Sequence, residues 1–346
     1  MPKRLDSPTH STADALLETL ETCLKLRLND PSLASTNAMR LFNGFYEGLP
    51  GLTVDLFADT VVISEHNRER AANPAFHQAI AAFYANTLPG VNSVLLKQRR
   101  ADEVDVRRGR LILGEDLPTS IQENGVNYAL DLQLNQDTSF YPDTRTLRLW
   151  LTNRMENLRV LNTFAYTGTL GIAALAGGAR EVIQTDLNPR FLELAHRSQA
   201  LNCFLGTMKT LNQDFYPMAA GFKSQSQLFD CVILDAPLFS QTSRGRVDLL
   251  QNWQSLINKV RPLVAHEGWL VAINNALFLP GNELMEGVRK LTVGGFLEVS
   301  DIIPIPPDAA GYAQTVVAKA PADPAPFNHP TKIITIRAYR KDGRRA

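Results

Sequence analysis

Between residues 12 and 28, apolar positions recur three and four apart, at Ala15, Leu16, Leu20, Cys23, Leu24 and Leu28, behind a start rich in Ser, Thr and Asp. That spacing predicts one amphipathic helix. From Met39 to about Leu134 the apolar runs shorten. RLFNGFYEGLPG, LTVDLFADT and VVISEH read as a meander of strands, followed by a helix over 74–86, a strand over 91–97 and the hairpin-like GVNYALDL. Beyond residue 150, β-branched runs alternate with helical stretches, the pattern of a parallel, doubly wound sheet. Its strands are predicted at 159–164, 181–186, 209–212, 229–237, 268–275, 295–303 and 332–339, seven in all. The chain is thus expected to form a helical arm (1–36), an α+β domain that is a candidate for substrate recognition (37–136), and a Rossmann-like α/β domain (137–346). The Pro-rich stretch 303–330 is too long for an ordinary loop and is expected to form a lid or rim over the site.

Composition narrows the class without changing this division. A 346-residue chain that is 45% hydrophobic can bury two cores. Its 35 basic and 35 acidic side chains cancel, so no global field draws it to nucleic acid or membrane, and any such contact must be local. The densest positive stretch in the interior of the chain is Lys97 to Arg110, with six basic and three acidic side chains; it reads equally as a solvated loop or a phosphate contact. Cys23, Cys203 and Cys231 are odd in number and far apart, which favours a reducing compartment over a disulfide framework. No signal-type apolar run opens the chain and none is long enough to span a membrane, so a cytoplasmic location is expected. The six histidines show no i, i+4 pair, and no metal is expected.

Candidate chemistry gathers at the strand ends. RVLNTF runs into AYTGTLGIAAL, where Gly168 allows a tight turn before a helix. With only Gly168 and Gly171 and no G-x-G-x-x-G, a dinucleotide cradle is poorly supported and a cofactor without phosphates fits better. The next strand ends in Asp186, a carboxylate able to accept both hydroxyls of a ribose. Asn212 and Asp214 end the third, where Asp214 is either an adenine contact or a helix cap. The fourth ends in Asp235, Ala236, Pro237, Leu238 and Phe239, and the fifth in Asn274 and Asn275. Phe164, Tyr166 and Phe239 could stack on a base or belong to the core.

FYPDTRTLR, the stretch from RVLNTFAYTG to HRSQALN, and FDCVILDAPLFSQTSR resemble the bacterial large-subunit ribosomal-RNA methyltransferases that make 5-methylcytosine or 7-methylguanine. RLFNGFYEGLPGLTVDLFADTVVI is similar to the opening of the central domain in the 5-methylcytosine members, so the likeness covers roughly residues 38–340. The resemblance implies a class I fold and S-adenosylmethionine as cofactor. It implies a cofactor loop over Asn162, Phe164, Tyr166, Thr167 and Gly168, with Asp186 and Leu187 at the ribose, Asn212 and Asp214 at the adenine and Asp235 at the methionine end. Tyr141, Asp143 and Arg145 match the segment before the first strand. Asp235, Pro237, Phe239 and Asn274 would face the acceptor.

Three departures bear on the reaction. The N-terminal RNA-binding module of the 5-methylcytosine members is replaced by the helix of 12–28. The usual Asp-Pro-Pro-x-Phe is Asp235-Ala-Pro-Leu-Phe239 here, with one stiffening ring fewer. Cytosine C5 needs a cysteine thiolate to attack C6 first, yet Asn274 and Asn275 stand where those relatives present a cysteine. The expectation is therefore methylation of a base nitrogen in ribosomal RNA, guanine N7 before cytosine C5. Lys97 to Arg110 and the tail Arg340 to Arg345 would hold phosphates. The alternatives are a small-molecule or protein acceptor, and a non-catalytic RNA-binding or assembly factor.

Overall fold

The computed structural model describes residues 9–237, 239–242, 245–248 and 253–346, without the side chains of 9–14, 239–242 and 245–248. The chain divides into two units: residues 1–125, 130–142 and 307–319 form the first, and 126–129, 143–306 and 320–346 the second. Among the described residues no helix is long and apolar enough to cross a membrane.

The first unit is built on a five-stranded sheet of β1 (Ala38–Asn43), β2 (Leu52–Phe57), β3 (Thr60–Glu65), β4 (Ser93–Gln98) and β5 (Arg110–Leu113), in that order. Only β3 and β4 run parallel, and the helix Pro74–Thr87 lies in the crossover between them, as parallel neighbours require. The first helix, Thr9–Leu28, is more than an arm: Leu20, Cys23 and Leu24 are buried in the same core as Leu41, Val54, Ile63, Ile80 and Leu96.

The Pro-rich stretch corrects its expectation. Residues 307–319 are packed into the first unit and are not a free-standing loop of the second. The fully buried Asp308 accepts from the Arg40 amide at 3.0 Å, and its carbonyl accepts from Arg27 at 3.0 Å. Arg27 also forms a two-pronged bond to buried Glu47, which accepts from the Thr315 hydroxyl at 2.6 Å. A buried ion pair of this kind ties a segment in place, because removing either partner strands a charge at a cost of about 3–5 kcal/mol.

Short strands β6 (Ser120–Glu123) and β7 (Val126–Ala129) flank the point where the chain passes into the second unit. There, seven strands form one sheet: β8 (Arg159–Thr163), β9 (Glu181–Asp186), β10 (Thr207–Asn212), β11 (Phe229–Leu234), β14 (Val264–Asn274), β15 (Leu297–Ile303) and β16 (Lys332–Ala338). Their spatial order is β10-β9-β8-β11-β14-β16-β15, and β16 alone is reversed. This is the Rossmann-like sheet expected from the alternating pattern. An additional antiparallel pair, β12 (Phe239–Thr242) and β13 (Gly245–Asp248), follows β11 and was not anticipated.

Side chains alternate between the two faces of the sheet. Leu161 and Ile183 join a core with Phe215, Met218, Leu256, Ile257 and Leu284 from the helices Phe215–Ser224, Trp253–Val260 and Gly281–Thr292. Their neighbours Asn162 and Gln184 are turned to the other face, under the helix Thr169–Ala176. The chain reverses its direction of winding between β8 and β11, so the crevice lies beyond the carboxyl ends of those two strands.

Candidate active site

Register decides which residues share that edge. Thr163 pairs with Thr185 on one side and Leu234 on the other, and Asn212 pairs with Asp186. Phe164, Asp186, Asn212 and Asp235 therefore leave the sheet side by side.

The loop after β8 turns sharply: Phe164, Tyr166 and Gly168 have φ of 54°, 51° and 77°. Two left-handed non-glycine residues so close together are uncommon, and each is held by packing. The Phe164 ring stacks on Phe215 at 4.7 Å and the Tyr166 ring meets Phe191 edge-on at 4.5 Å. Buried Thr167 lies between them and Gly168, whose amide closes the turn onto the Ala165 carbonyl at 2.8 Å. Gly168 and Gly171 let the helix rest directly on Gln184: an added Cβ would come within 2.6 and 2.5 Å of its side chain. Gln184 is itself held by Asn162 Nδ2 at 3.0 Å. Asn162, expected at the cofactor, is buried beneath the helix and supports the loop from below.

Asp186 is the pivot of the edge. Its two carboxylate oxygens accept from the Tyr166 amide at 2.8 Å and the Asn188 amide at 2.9 Å. Burial pushes its pKa up, against the pull of these amides and that of Leu187. Asn212 Nδ2 donates to the carbonyls of Asp186 (3.1 Å) and Leu187 (2.7 Å), locking the backbone on which the carboxylate sits. The Leu187 side chain is exposed. Asp214 caps the helix Phe215–Ser224 through the Tyr216 amide at 3.0 Å, so the helix-cap reading describes its local geometry.

Beyond β11, half-buried Asp235 has its carboxyl pushed up to about 7, first by desolvation and then by the like charge of Asp143. Pro237 is exposed; Leu238, Ser243 and Arg244 lie outside the described residues, as does the side chain of Phe239. Asn274 is buried and its Oδ1 accepts from the Ala276 amide at 3.0 Å, holding the turn after β14. Arg145 is buried on the helix Arg145–Thr152, whereas Tyr141 belongs to the first unit and is exposed.

The two basic stretches meet different fates. Lys97 is fully buried and donates to the carbonyls of Arg108, Asn135 and Asp137, so it is no surface contact; burial lowers its pKa to about 7. The tail is bonded to the second unit's own side chains and carbonyls. Arg340 bonds Asp342 and the Pro262 carbonyl, Arg344 the Ser226 carbonyl, and Arg345 pairs with Glu267. These partners flank the amino ends of β11 and β14, at the opposite edge from Asp235.

Neither cysteine of the second unit lies at the carboxyl edge. Cys231 lies within β11, buried, with its thiol pushed up by burial. Cys203 is exposed on the approach to the amino end of β10, and Cys23 is in the core of the first unit, its thiol raised to about 12 chiefly by burial.

The family description of S-adenosylmethionine-dependent methyltransferases matches residues 60–317, about three quarters of the chain. The chain belongs to this family. Among curated relatives, a protein named ribosomal RNA large subunit methyltransferase I from Alteromonas mediterranea is 34% identical over 67% of this chain and 61% of its own length. Its namesake from Yersinia pseudotuberculosis is 28% identical over 70% and 62%. The match thus spans about three fifths of these relatives. Among solved structures, a candidate methyltransferase complexed with SAH superposes with a TM-score of 0.81 at 22% identity, over 97% of this chain and 83% of the other. It shares the fold.

The family cofactor, S-adenosylmethionine, presents a ribose diol, an adenine and a positively charged methionine end. The donor set fits it: Asp186 offers the remaining acceptor capacity of a pinned carboxylate to a diol, and a cation beside Asp235 and Asp143 would relieve their mutual repulsion. Sequence reading missed the supports, namely Gln184 under the two glycines, Phe215 and Phe191 behind the loop, and Lys332 behind Asn274. Gln184, an amide directly after Val182 and Ile183 in β9, was the one signal available.

Proposed function

We propose that this chain is a cytoplasmic enzyme that transfers the methyl group of S-adenosylmethionine to a base nitrogen of large-subunit ribosomal RNA, guanine N7 before cytosine C5. The names of the curated relatives support the RNA substrate. The placement of Cys203 and Cys231 away from the carboxyl edge, with Cys23 buried in the core of the first unit, carries the choice of atom, since C5 methylation needs an accessible thiolate there.

S-adenosylmethionine supplies an electrophilic methyl group. On this reading the loop Phe164–Gly168 and Asp186 bind the nucleoside part, while Asp235 and Asp143 orient the cationic end. Asn274 and the segment after Asp235 border the acceptor. Guanine N7 has a lone pair and no proton to lose, so the protein need only align acceptor and donor and keep water out.

Nucleoside mass spectrometry of ribosomal RNA from cells with and without the gene tests this directly. One methylated guanine should vanish and return when purified protein and S-adenosylmethionine are added. An unchanged profile would overturn the RNA assignment, and loss of a 5-methylcytosine would overturn the choice of atom.

A further inference from the structure

The turn that follows β14 is built in an unusual way. Residues 276–279 form a tight turn, closed by the Leu279 amide donating to the Ala276 carbonyl at 3.3 Å. The two central positions of such turns favour Gly, Pro, Asn, Asp and Ser, yet here they are Leu277 and Phe278, which are 48% and 71% exposed. Single exposed apolar side chains are ordinary on any surface; what sets this pair apart is its mounting.

Both feet of the turn are anchored. Ala276 and Leu279 are buried in the main core of the second unit. Asn274 Oδ1 holds the Ala276 amide at 3.0 Å, and Lys332 Nζ donates to the Ala276 carbonyl at 3.0 Å and to that of Pro330 at 2.6 Å. Lys332 is 1% exposed. Burying an ammonium against carbonyls alone is costly, and here it stiffens the base of a two-residue tip. Just beyond, the Gly281 amide donates to the Asp323 carbonyl at 2.9 Å. A rigid mounting spares the entropy of ordering a contact loop on binding.

Location gives the tip a use. Phe278 is four residues beyond Asn274, so it lies within about 14 Å of the carboxyl edge even at full extension. An exposed aromatic ring within that reach suits the nucleotides around an acceptor base, because the flat faces of unpaired nucleobases stack on such rings whatever their sequence.

We propose that Phe278, carried with Leu277 on this turn, is a substrate-contact residue that stacks on the nucleobase flanking the acceptor base. The inference rests on the ribosomal-RNA reading above. Truncating the ring removes a contact to RNA and none to the cofactor.

The test is steady-state methyl transfer by the full chain to large-subunit ribosomal RNA transcribed in vitro, with SAH affinity measured by calorimetry. Phe278→Ala should raise the KM for RNA roughly ten-fold or more, with kcat within two-fold and SAH affinity unchanged. Phe278→Tyr should restore the KM. Leu205→Ala, at a fully exposed residue just ahead of the amino end of β10, should leave every constant alone. A wild-type KM for Phe278→Ala would overturn the contact while leaving the parent reading intact, as would an equal loss of SAH affinity. A wild-type chain that binds SAH but methylates no RNA would overturn both.

Discussion

The two edges of the large sheet are made from the same strands yet treat charge in opposite ways. At the amino edge the acids are neutralised: Glu181 is paired with Arg159 (2.8 Å) and Lys209 (2.6 Å). Asp230 caps the Arg159 amide at 2.8 Å and faces Arg180 at 3.8 Å, and Glu267 is paired with Arg345. At the carboxyl edge, Asp186 and Asp235 are both raised by burial, and Asp235 has another acid as its charged neighbour. A protein bears such local costs where a ligand will offset them, so the difference separates a working edge from a structural one.

The strongest way to break the carboxyl edge is from beneath. Gly171→Ala would drive a methyl group to 2.5 Å from the Gln184 amide, which cannot swing away because Asn162 and Met208 hold it. Overpacking of this kind should lower stability by about 2–3 kcal/mol, read as a shifted urea midpoint. Adding Gln184→Ala should recover part of the loss; a neutral Gly171→Ala would mean the helix does not rest on Gln184.

Next is the pivot itself. Asp186→Ala should weaken SAH binding by about 2 kcal/mol, roughly thirty-fold in Kd, through loss of a charged acceptor. Asp186→Asn, which keeps one acceptor oxygen, should fall between. Calorimetry giving wild-type affinity for both would remove Asp186 from the cofactor site.

A smaller effect reads the charge at Asp235. Its folded pKa, about 7, lies above the ordinary 3.8, so between these values the folded chain holds a proton that the unfolded chain has released. By linkage, this group's contribution to stability falls as pH rises across that window. Asp235→Asn should match wild type near pH 4, gain through neutrality and level off above pH 7, with a Tm about 2–4 °C higher at pH 8. A gain independent of pH would mean that Asp235 is not the strained group.

How much of this was legible in the sequence depends on where the cause lies. The seven strands of the sheet were readable because each is a β-branched run bounded by turns, and Asp186 because a carboxylate ends such a run. The resemblance brought Asp235 to notice, but not the desolvation that perturbs it. The buried course of Lys97 and the inward turn of 307–319 were not readable: their acceptors are carbonyls and acids distant in sequence, and nothing near a lysine reports whether it is surrounded. The Leu277-Phe278 tip was in plain view, yet without Lys332 and Asn274 beneath it two apolar residues in a loop carry no meaning.

The smallest effect belongs to the amino edge and completes the comparison. Burial works against the charge of Glu181, but the Lys209 bond, foremost, and Arg159 hold its carboxyl below the usual range. A lowered folded pKa means that this contribution is present above the unfolded value and is lost as pH falls through the folded one. Lys209 is 63% exposed on its side chain, so water screens most of the attraction. Lys209→Ala should therefore reduce stability by no more than about 0.5 kcal/mol at pH 7 in low salt and by nothing measurable in 1 M salt, leaving SAH affinity untouched. If it instead weakened SAH binding, charge at the amino edge would be coupled to the cofactor, and the division between the two edges would fail.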